Sequence, residues 1–275
     1  MKDSVKAFFE KEKIEYYSIL DYSACREINP GIVERMGFEP RSVILYLLPY
    51  YTVFGENISS YAVGVDYHLV IKRISSALAD ALSGDFPENR FAVFGDHSPI
   101  DERHAATVTG LGILGDSGLL INEKYGSYVF IGELISDLAL APDDKTPLGE
   151  VKRCISCGKC RAACPTGILC GKGDECLSAI TQKKGELSAS ERALMINHGT
   201  AWGCDVCQRA CPYNEKANTT PIADFYEDMI PHLTKATLDA MDKPRFERRA
   251  YAWRGRKTIE RNLILLENAN ISMKK

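Results

Sequence analysis

At 275 residues the chain can bury one sizeable core and a smaller unit. Its 45% hydrophobic and 26% charged content excludes a disordered or fibrous chain. The formal net charge of −3 hides an asymmetry: residues 243–261 carry eight basic side chains against two acidic ones, leaving 26 basic and 35 acidic on the remainder. Such a run is either a solvated helix face or a contact for a polyanion, and the interleaved Phe246, Tyr251 and Trp253 favour unpaired nucleic acid, since aromatic rings stack on bases.

In chain order, residues 4–13 form a charged amphipathic segment without a leader's apolar stretch, and no run approaches the roughly 18 apolar residues that would span a bilayer. The expected location is cytoplasmic, with no membrane partner. A strand is predicted at 14–20, and the apolar run 41–49, stopped by Pro49, reads as a buried central strand. Residues 66–83 follow as a helix, because Val70, Ile71, Ile74, Leu78, Ala81 and Leu82 recur at three- and four-residue spacings. A strand at 90–94, a helix at 99–109 and two turn-linked strands at 118–122 and 127–135 complete this part.

Proline and charge at 142–147 mark a linker, so the expected domains are residues 1–147, 148–218 and 219–275. Ser188-Ala-Ser-Glu191 is a capping box for a helix ending near His198, with Gly199 as its cap. The remainder after Pro212 is expected to be helical, with Ile259, Leu263 and Leu266 as a core stripe at 258–269. Gly110, Gly112 and Gly115 spell G-x-G-x-x-G, but a helix precedes them and a strand follows, the reverse of a dinucleotide site. Asp66-Tyr67-His68 begins a cobalt-histidine signature that Ile71, where glycine is required, interrupts.

The chemistry is concentrated in the cysteines. Cys154-Ile-Ser-Cys157-Gly-Lys-Cys160-Arg-Ala-Ala-Cys164-Pro165 is the C-x2-C-x2-C-x3-C-P spacing that wraps a [4Fe–4S] cube and sends its fourth thiolate to a second one. Cys204-Asp-Val-Cys207-Gln-Arg-Ala-Cys211-Pro212 supplies that second site, one thiolate short. The predicted sets are Cys154, Cys157, Cys160 and Cys211 on one cube, and Cys164, Cys176, Cys204 and Cys207 on the other, with Cys170 as the rival to Cys176. Closed zinc sites also take four cysteines but pair C-x2-4-C units, and disulfides do not suit metal-ligand spacing in a chain without export signals. Cys25 and Cys170 are left over as small buried residues.

Several blocks in order resemble the epoxyqueuosine reductase family: Tyr61-Ala-Val-Gly64-Val-Asp66-Tyr67-His68, Gly95-Asp96-His97-Ser98-Pro99 with Glu102-Arg103, Gly110-Leu-Gly112, the Gly126 to Asp137 stretch with Gly132-Glu133, the eight cysteines and Arg261-Asn262. The resemblance covers about residues 40–268. It implies a mixed α/β or α+β fold with an N-terminal corrinoid-binding domain akin to reductive dehalogenases, a ferredoxin-like two-cluster domain and C-terminal helices. It further implies two [4Fe–4S] clusters and cobalamin with no protein histidine on cobalt. The implied reaction is reduction of epoxyqueuosine to queuosine in the tRNA anticodon loop, with electrons from a flavodoxin- or ferredoxin-type donor. On this resemblance Asp96 is the proton donor, and Tyr67, His68, Asp96, Ser117, Thr181 and Asp205 contact cofactors. The family usually has Arg at Val65, Trp at Ile113 and Gly-Lys-Asn at Gly115-Asp116-Ser117, and many members carry a further helical-repeat tail. A relative with another substrate, or an electron-transfer protein that reduces a corrinoid on a partner, are the alternative readings.

Overall fold

The computed structural model describes residues 2–142, 148–173 and 175–273; the expected linker at 143–147 lies outside them. The chain forms two compact units, one of Met1–Pro49 with His68–Ser156 and the other of Tyr50–Tyr67 with Cys157–Lys275. The boundary therefore falls inside the first cysteine run, and residues 50–67 leave the N-terminal unit for the C-terminal one.

The first unit contains α1 (Lys2–Lys11), β1 (Tyr17–Asp21), α2 (Pro30–Met36), β2 (Ser42–Pro49), α3 (Tyr67–Asp85, from His68 onward), β3 (Phe91–Phe94), α4 (Glu102–Val108), β4 (Ile113–Leu114), β5 (Leu120–Ile121) and β6 (Val129–Ser136). A four-stranded sheet runs in the order β1-β2-β6-β3, with every pairing antiparallel. The mixed composition is as expected, and the antiparallel pairing makes the unit α+β. All eight residues of β2 are buried, as a continuous apolar run requires. Val43, Leu45 and Leu47 pack in one core with Ile131 and Ile135 of β6 and with Ala105 and Ala106 of α4. On the other face, Tyr46 meets the Phe9 ring of α1 at 5.4 Å and bonds Ser75 Oγ of α3 at 2.8 Å. A side chain on Gly132 would collide with Tyr46, since its Cβ would stand 2.2 Å from Cζ.

Residues 118–122 and 127–135 are joined by the expected short turn, closed by the Asn122 amide donating to the Gly126 carbonyl at 2.8 Å, but their strands pair in different sheets. Leu120–Ile121 pairs with β4, while Val129–Ser136 becomes the central strand between β2 and β3. Apolarity places both stretches inside but does not choose their partners. Gly110 to Gly115 follows α4 and contains β4, which is not the strand-to-helix turn that a dinucleotide fingerprint needs.

The second unit is built from short helices: α5 (Lys159–Ala163), α6 (Leu177–Thr181), α7 (Ala189–His198), α8 (Val206–Arg209), α9 (Lys235–Asp239), α10 (Lys243–Glu247) and the longer α11 (Arg256–Met273). Ser188 and Glu191 form the expected reciprocal cap on α7, and Gly199 closes it with φ +59°. Ile259, Leu263 and Leu266 pack on Trp202, Leu233 and Tyr251. Residues 50–67 thread this unit as a spine: the amides of Glu56, Ser59 and Asp66 donate to the carbonyls of Pro231, Trp202 and Arg248. Those bonds explain why the segment leaves the sheet that precedes it. No helix among the described residues is long and apolar enough to cross a membrane.

Candidate functional site

In the first unit the site is the loop that joins β3 to α4. Gly95 sits against Ile71 of α3, whose Cγ2 would be 2.9 Å from a Cβ at that position. Only glycine lets the strand end there. The same Ile71 is 2% exposed, so the position that a cobalt-histidine signature needs as glycine is a core side chain here. Asp96 follows, with its Oδ2 3.7 Å from His68 Nε2, and the two side chains are 66% and 49% exposed. Ser98 then turns inward to donate from Oγ to Glu133 Oε2 at 2.5 Å, and its carbonyl accepts from Asn29 Nδ2 at 2.8 Å. Asp101 caps α4 by accepting from the His104 amide.

Asp96 is thus an exposed acid paired with an imidazole, whereas desolvation acts on the carboxyls behind it. Burial pushes Glu102 up to about 7, with Asp96 and Asp101 adding to the rise and Arg103 opposing it. Burial pushes Glu133 up to about 8, against the Ser98 hydrogen bond and reinforced by Glu102. Neither glutamate stands out in the sequence reading except as part of a family block. The available signal was the alternation of β6: Ile131, Glu133 and Ile135 fall on one face, so a carboxyl was bound to enter the core.

On the β4–β5 turn, the Asp116 amide donates to Cys154 Sγ at 3.4 Å and Asp116 Oδ1 accepts from Ser156 Oγ at 3.3 Å. Ser117 sits in the same turn. The family's usual Gly-Lys-Asn is replaced where the backbone meets a predicted cluster ligand.

The other seven predicted ligands belong to the second unit. Cys204 is pushed up to about 11 by burial, with Cys176 and Cys164 among the neighbours that raise it further. Burial likewise pushes Cys207 up to about 12, reinforced by Cys204, Cys176 and Cys160. Cys204 and Cys207 thus lie near other predicted ligands, and a positively charged iron core would favour their thiolates. Cys170 is exposed and donates instead to the Arg161 carbonyl at 3.5 Å. All ten cysteines are free thiols. Among the described residues no three His, Cys, Asp or Glu side chains converge on a single-ion position; the thiolates of a cube each bind a different iron and stand apart.

Thr181 and Asp205 both make hydrogen bonds within the second unit. Thr181 Oγ1 donates to the Ser178 carbonyl at 2.7 Å and accepts from the Gly203 amide at 2.9 Å. The Asp205 carboxylate accepts from Ser59 Oγ, and from the amide and hydroxyl of Ser60 at 2.7 Å each, which fastens residues 50–67 beside the cysteines. Gly203, at φ +72°, lets that spine approach, since a Cβ there would lie 2.5 Å from Ser59 Cβ. Asn262 of α11 donates to the carbonyls of Thr181 and Ala201 at 2.7 and 2.8 Å, so the Arg261-Asn262 block braces the segment leading to Cys204. Tyr67 packs edge-on against the Tyr61 ring at 6.4 Å.

Of the basic run only Arg249 is buried, and several of the other side chains are engaged at or near the surface. Arg249 is 1% exposed and pairs with Asp228, Arg256 donates to the carbonyls of Leu238 and Met241 at 2.6 and 2.8 Å, and Arg248 pairs with Glu227 at 2.6 Å. Arg249 and Arg256 are thus spent on folding, while Arg248 stays 52% exposed in a surface ion pair. Trp253 remains 58% exposed, with the Arg254 guanidinium 3.8 Å over its ring.

Comparisons with known proteins agree with this arrangement. A family profile for a 4Fe-4S double cluster binding domain matches residues 153–214, and the epoxyqueuosine reductase (QueG) profile matches residues 33–97. An epoxyqueuosine reductase of Listeria monocytogenes is 30% identical over 94% of this chain and 71% of its own. The chain belongs to the epoxyqueuosine reductase family. A second epoxyqueuosine reductase, from Gloeobacter violaceus, is 34% identical over 81% of this chain and 71% of its own. Among solved structures, an epoxyqueuosine reductase crystallised with an epoxyqueuosine-modified tRNA-Tyr stem loop superposes with a TM-score of 0.76 at 24% identity, covering 96% of this chain and 81% of that one. The chain thus has the fold of epoxyqueuosine reductases and a two-cluster domain within it.

Proposed function

We propose that this protein is an oxidoreductase that removes the epoxide oxygen of epoxyqueuosine in tRNA, using two [4Fe–4S] clusters and cobalamin. The observation that carries the reading is family membership together with an intact ligand set, all eight predicted cysteines being present where the double-cluster profile matches. Cys164, Cys176, Cys204 and Cys207 hold one cube, and Cys154, Cys157, Cys160 and Cys211 the other. A corrinoid without a protein nitrogen on cobalt suits this chain, because buried Ile71 stands where the cobalt-histidine signature needs glycine. His68, Asp96 and Ser117 are the residues of the first unit that would contact it. Bound cobalamin would supply a reduced cobalt as nucleophile or electron source. Asp96 gives a proton to the leaving oxygen, and His68 orients its carboxyl. The tRNA stem loop recorded with a relative supports the same substrate here, and a low-potential flavodoxin or ferredoxin would reload the clusters.

The test is anaerobic turnover of epoxyqueuosine-containing tRNA by the reconstituted protein with a low-potential reductant. Asp96→Asn should leave cobalamin binding intact and slow deoxygenation by about two to four orders of magnitude, the contribution of a positioned acid. Undiminished turnover by Asp96→Asn would remove it from the mechanism. Cobalamin binding without any reduction of epoxyqueuosine would point to another electrophile, with Val65, Ile113 and Asp116 the first positions to examine.

A further inference from the structure

Asp96 stands on a short span whose two ends meet the same residue. β3 ends at Phe94, which pairs with Glu133 of β6 across the sheet. Gly95 follows, packed so closely on α3 that a Cβ there would come within 2.9 Å of Ile71 Cγ2. At the far end Ser98, 3% exposed, donates from Oγ to Glu133 Oε2 at 2.5 Å. Glu133 thus stands opposite the start of the loop by its place in the sheet and holds the end of the loop by its side chain. Between those points lie only Asp96 and His97, both exposed.

Beyond Ser98 the chain is fastened from its other side. The Ile28 and Asn29 amides donate to the Pro99 carbonyl at 2.8 and 3.0 Å, the Asp101 amide donates to the Arg26 carbonyl at 2.8 Å, and Asn29 Nδ2 donates to the Ser98 carbonyl at 2.8 Å. These bonds hold the segment independently of Glu133. A carboxyl is also a poor choice for the place it occupies. Glu133 is 0% exposed, shares its face of β6 with Ile131 and Ile135, and buries Oε1 with no hydrogen-bond partner. An apolar side chain of that size would leave no polar atom unsatisfied there. The bond that Oε2 makes goes to Ser98, two residues from the acid.

Resting on the epoxide reading given above, we propose that Glu133 and Ser98 form a latch that holds the Asp96 loop in place for proton delivery. Both are positioning residues, since they act on the leaving oxygen only through Asp96. The latch ties the acid to a strand that is paired on both sides, by β2 and by β3. Without it the Ser98 end of the span keeps its outer bonds but loses its inner one, and Asp96 departs from the geometry that transfer to the oxygen requires. A misplacement of about 1 Å is enough to slow such a step about a hundredfold.

Two measurements on the cluster-loaded protein decide it. Ser98→Ala deletes one oxygen and leaves the bonds to Arg26, Ile28 and Asn29 to keep the fold. Without cobalamin or substrate, the amides of Ile28, Asn29 and Asp101 should exchange at least about tenfold faster in Ser98→Ala than in the wild type, with those of β2 unchanged. Equal exchange overturns the latch whatever the turnover. In single turnover, Ser98→Ala should slow deoxygenation about ten- to a hundredfold, with cobalamin affinity and the half-saturating tRNA concentration unaltered. Glu133→Gln, whose amide oxygen still accepts from Ser98, should keep most of the wild-type rate. An unchanged rate in Ser98→Ala, or a Glu133→Gln protein as slow as Ser98→Ala, overturns the positioning role. A wild type that shows the exchange difference but never reduces epoxyqueuosine overturns the epoxide reading and the positioning role with it, and leaves the latch as a feature of the loop alone.

Discussion

Glu133→Gln should remove a pH dependence from the stability of the N-terminal unit. In the folded chain burial raises this carboxyl from an ordinary 4.5 to about 8. At about 1.4 kcal/mol for each pH unit, the ceiling on the destabilisation is about 5 kcal/mol, and relaxation of the interior reduces it. The sign follows from proton counts. Below pH 4.5 both folded and unfolded chains hold the proton and nothing is lost. Between about 4.5 and 8 the folded state binds a proton that the unfolded state has released, so stability falls as pH rises. From pH 6 to pH 8 the wild type should lose about 2 to 3 kcal/mol through this group. Glutamine keeps the shape and accepts from Ser98, but its amide replaces the unpartnered Oε1, a cost of about 1–3 kcal/mol that does not vary with pH. The variant should therefore be the less stable protein below pH 4.5, match the wild type near pH 6 and exceed it by pH 8. Amide exchange of β6 and β2 in the cluster-loaded protein is the suitable assay, because a protein with bound clusters does not unfold in two states. Equal slopes in the two proteins would show that Glu133 ionises normally and would refute the reasoning.

Anaerobically purified protein should carry about eight irons and eight labile sulfides per chain; stoichiometric zinc without sulfide would replace both cubes with zinc sites. Cys176→Ala should cost one cube while Cys170→Ala keeps both, measured by iron content and EPR, since Cys176 and not Cys170 neighbours Cys204. Arg249→Ala should lower stability by about 1–3 kcal/mol by leaving buried carbonyls unpaired, read as earlier thermal release of the clusters, because Arg249 bonds the carbonyls of Val63, Gly64 and Asp228 from a 1% exposed position while Asp228 keeps Arg245. A variant as stable as wild type would return Arg249 to the surface.

The sequence by itself determined what depends on neighbours along the chain. Thiolate spacing is local, so the cluster domain was legible from Cys154 to Pro212, and the capping box at Ser188 and Glu191 formed as written. Periodicity located β2, α3 and α11 to within a few residues, because burial of one face is encoded every second or every third to fourth position. Tertiary structure decided which surfaces those elements meet. Residues 50–67 joined the cysteine-bearing unit because their amides and Ser59 and Ser60 found partners at Trp202, Pro231 and Asp205, far away in sequence. Arg248, Arg249 and Arg256 read as a basic run until Glu227, Asp228 and the Leu238 carbonyl claimed them. Glu102 and Glu133 are ordinary acids along the chain. They become proton-holding groups only when β6 sinks one into the core and α4 brings the other beside it, since a carboxyl's proton affinity is set by the water and charge around it and not by its neighbours in sequence.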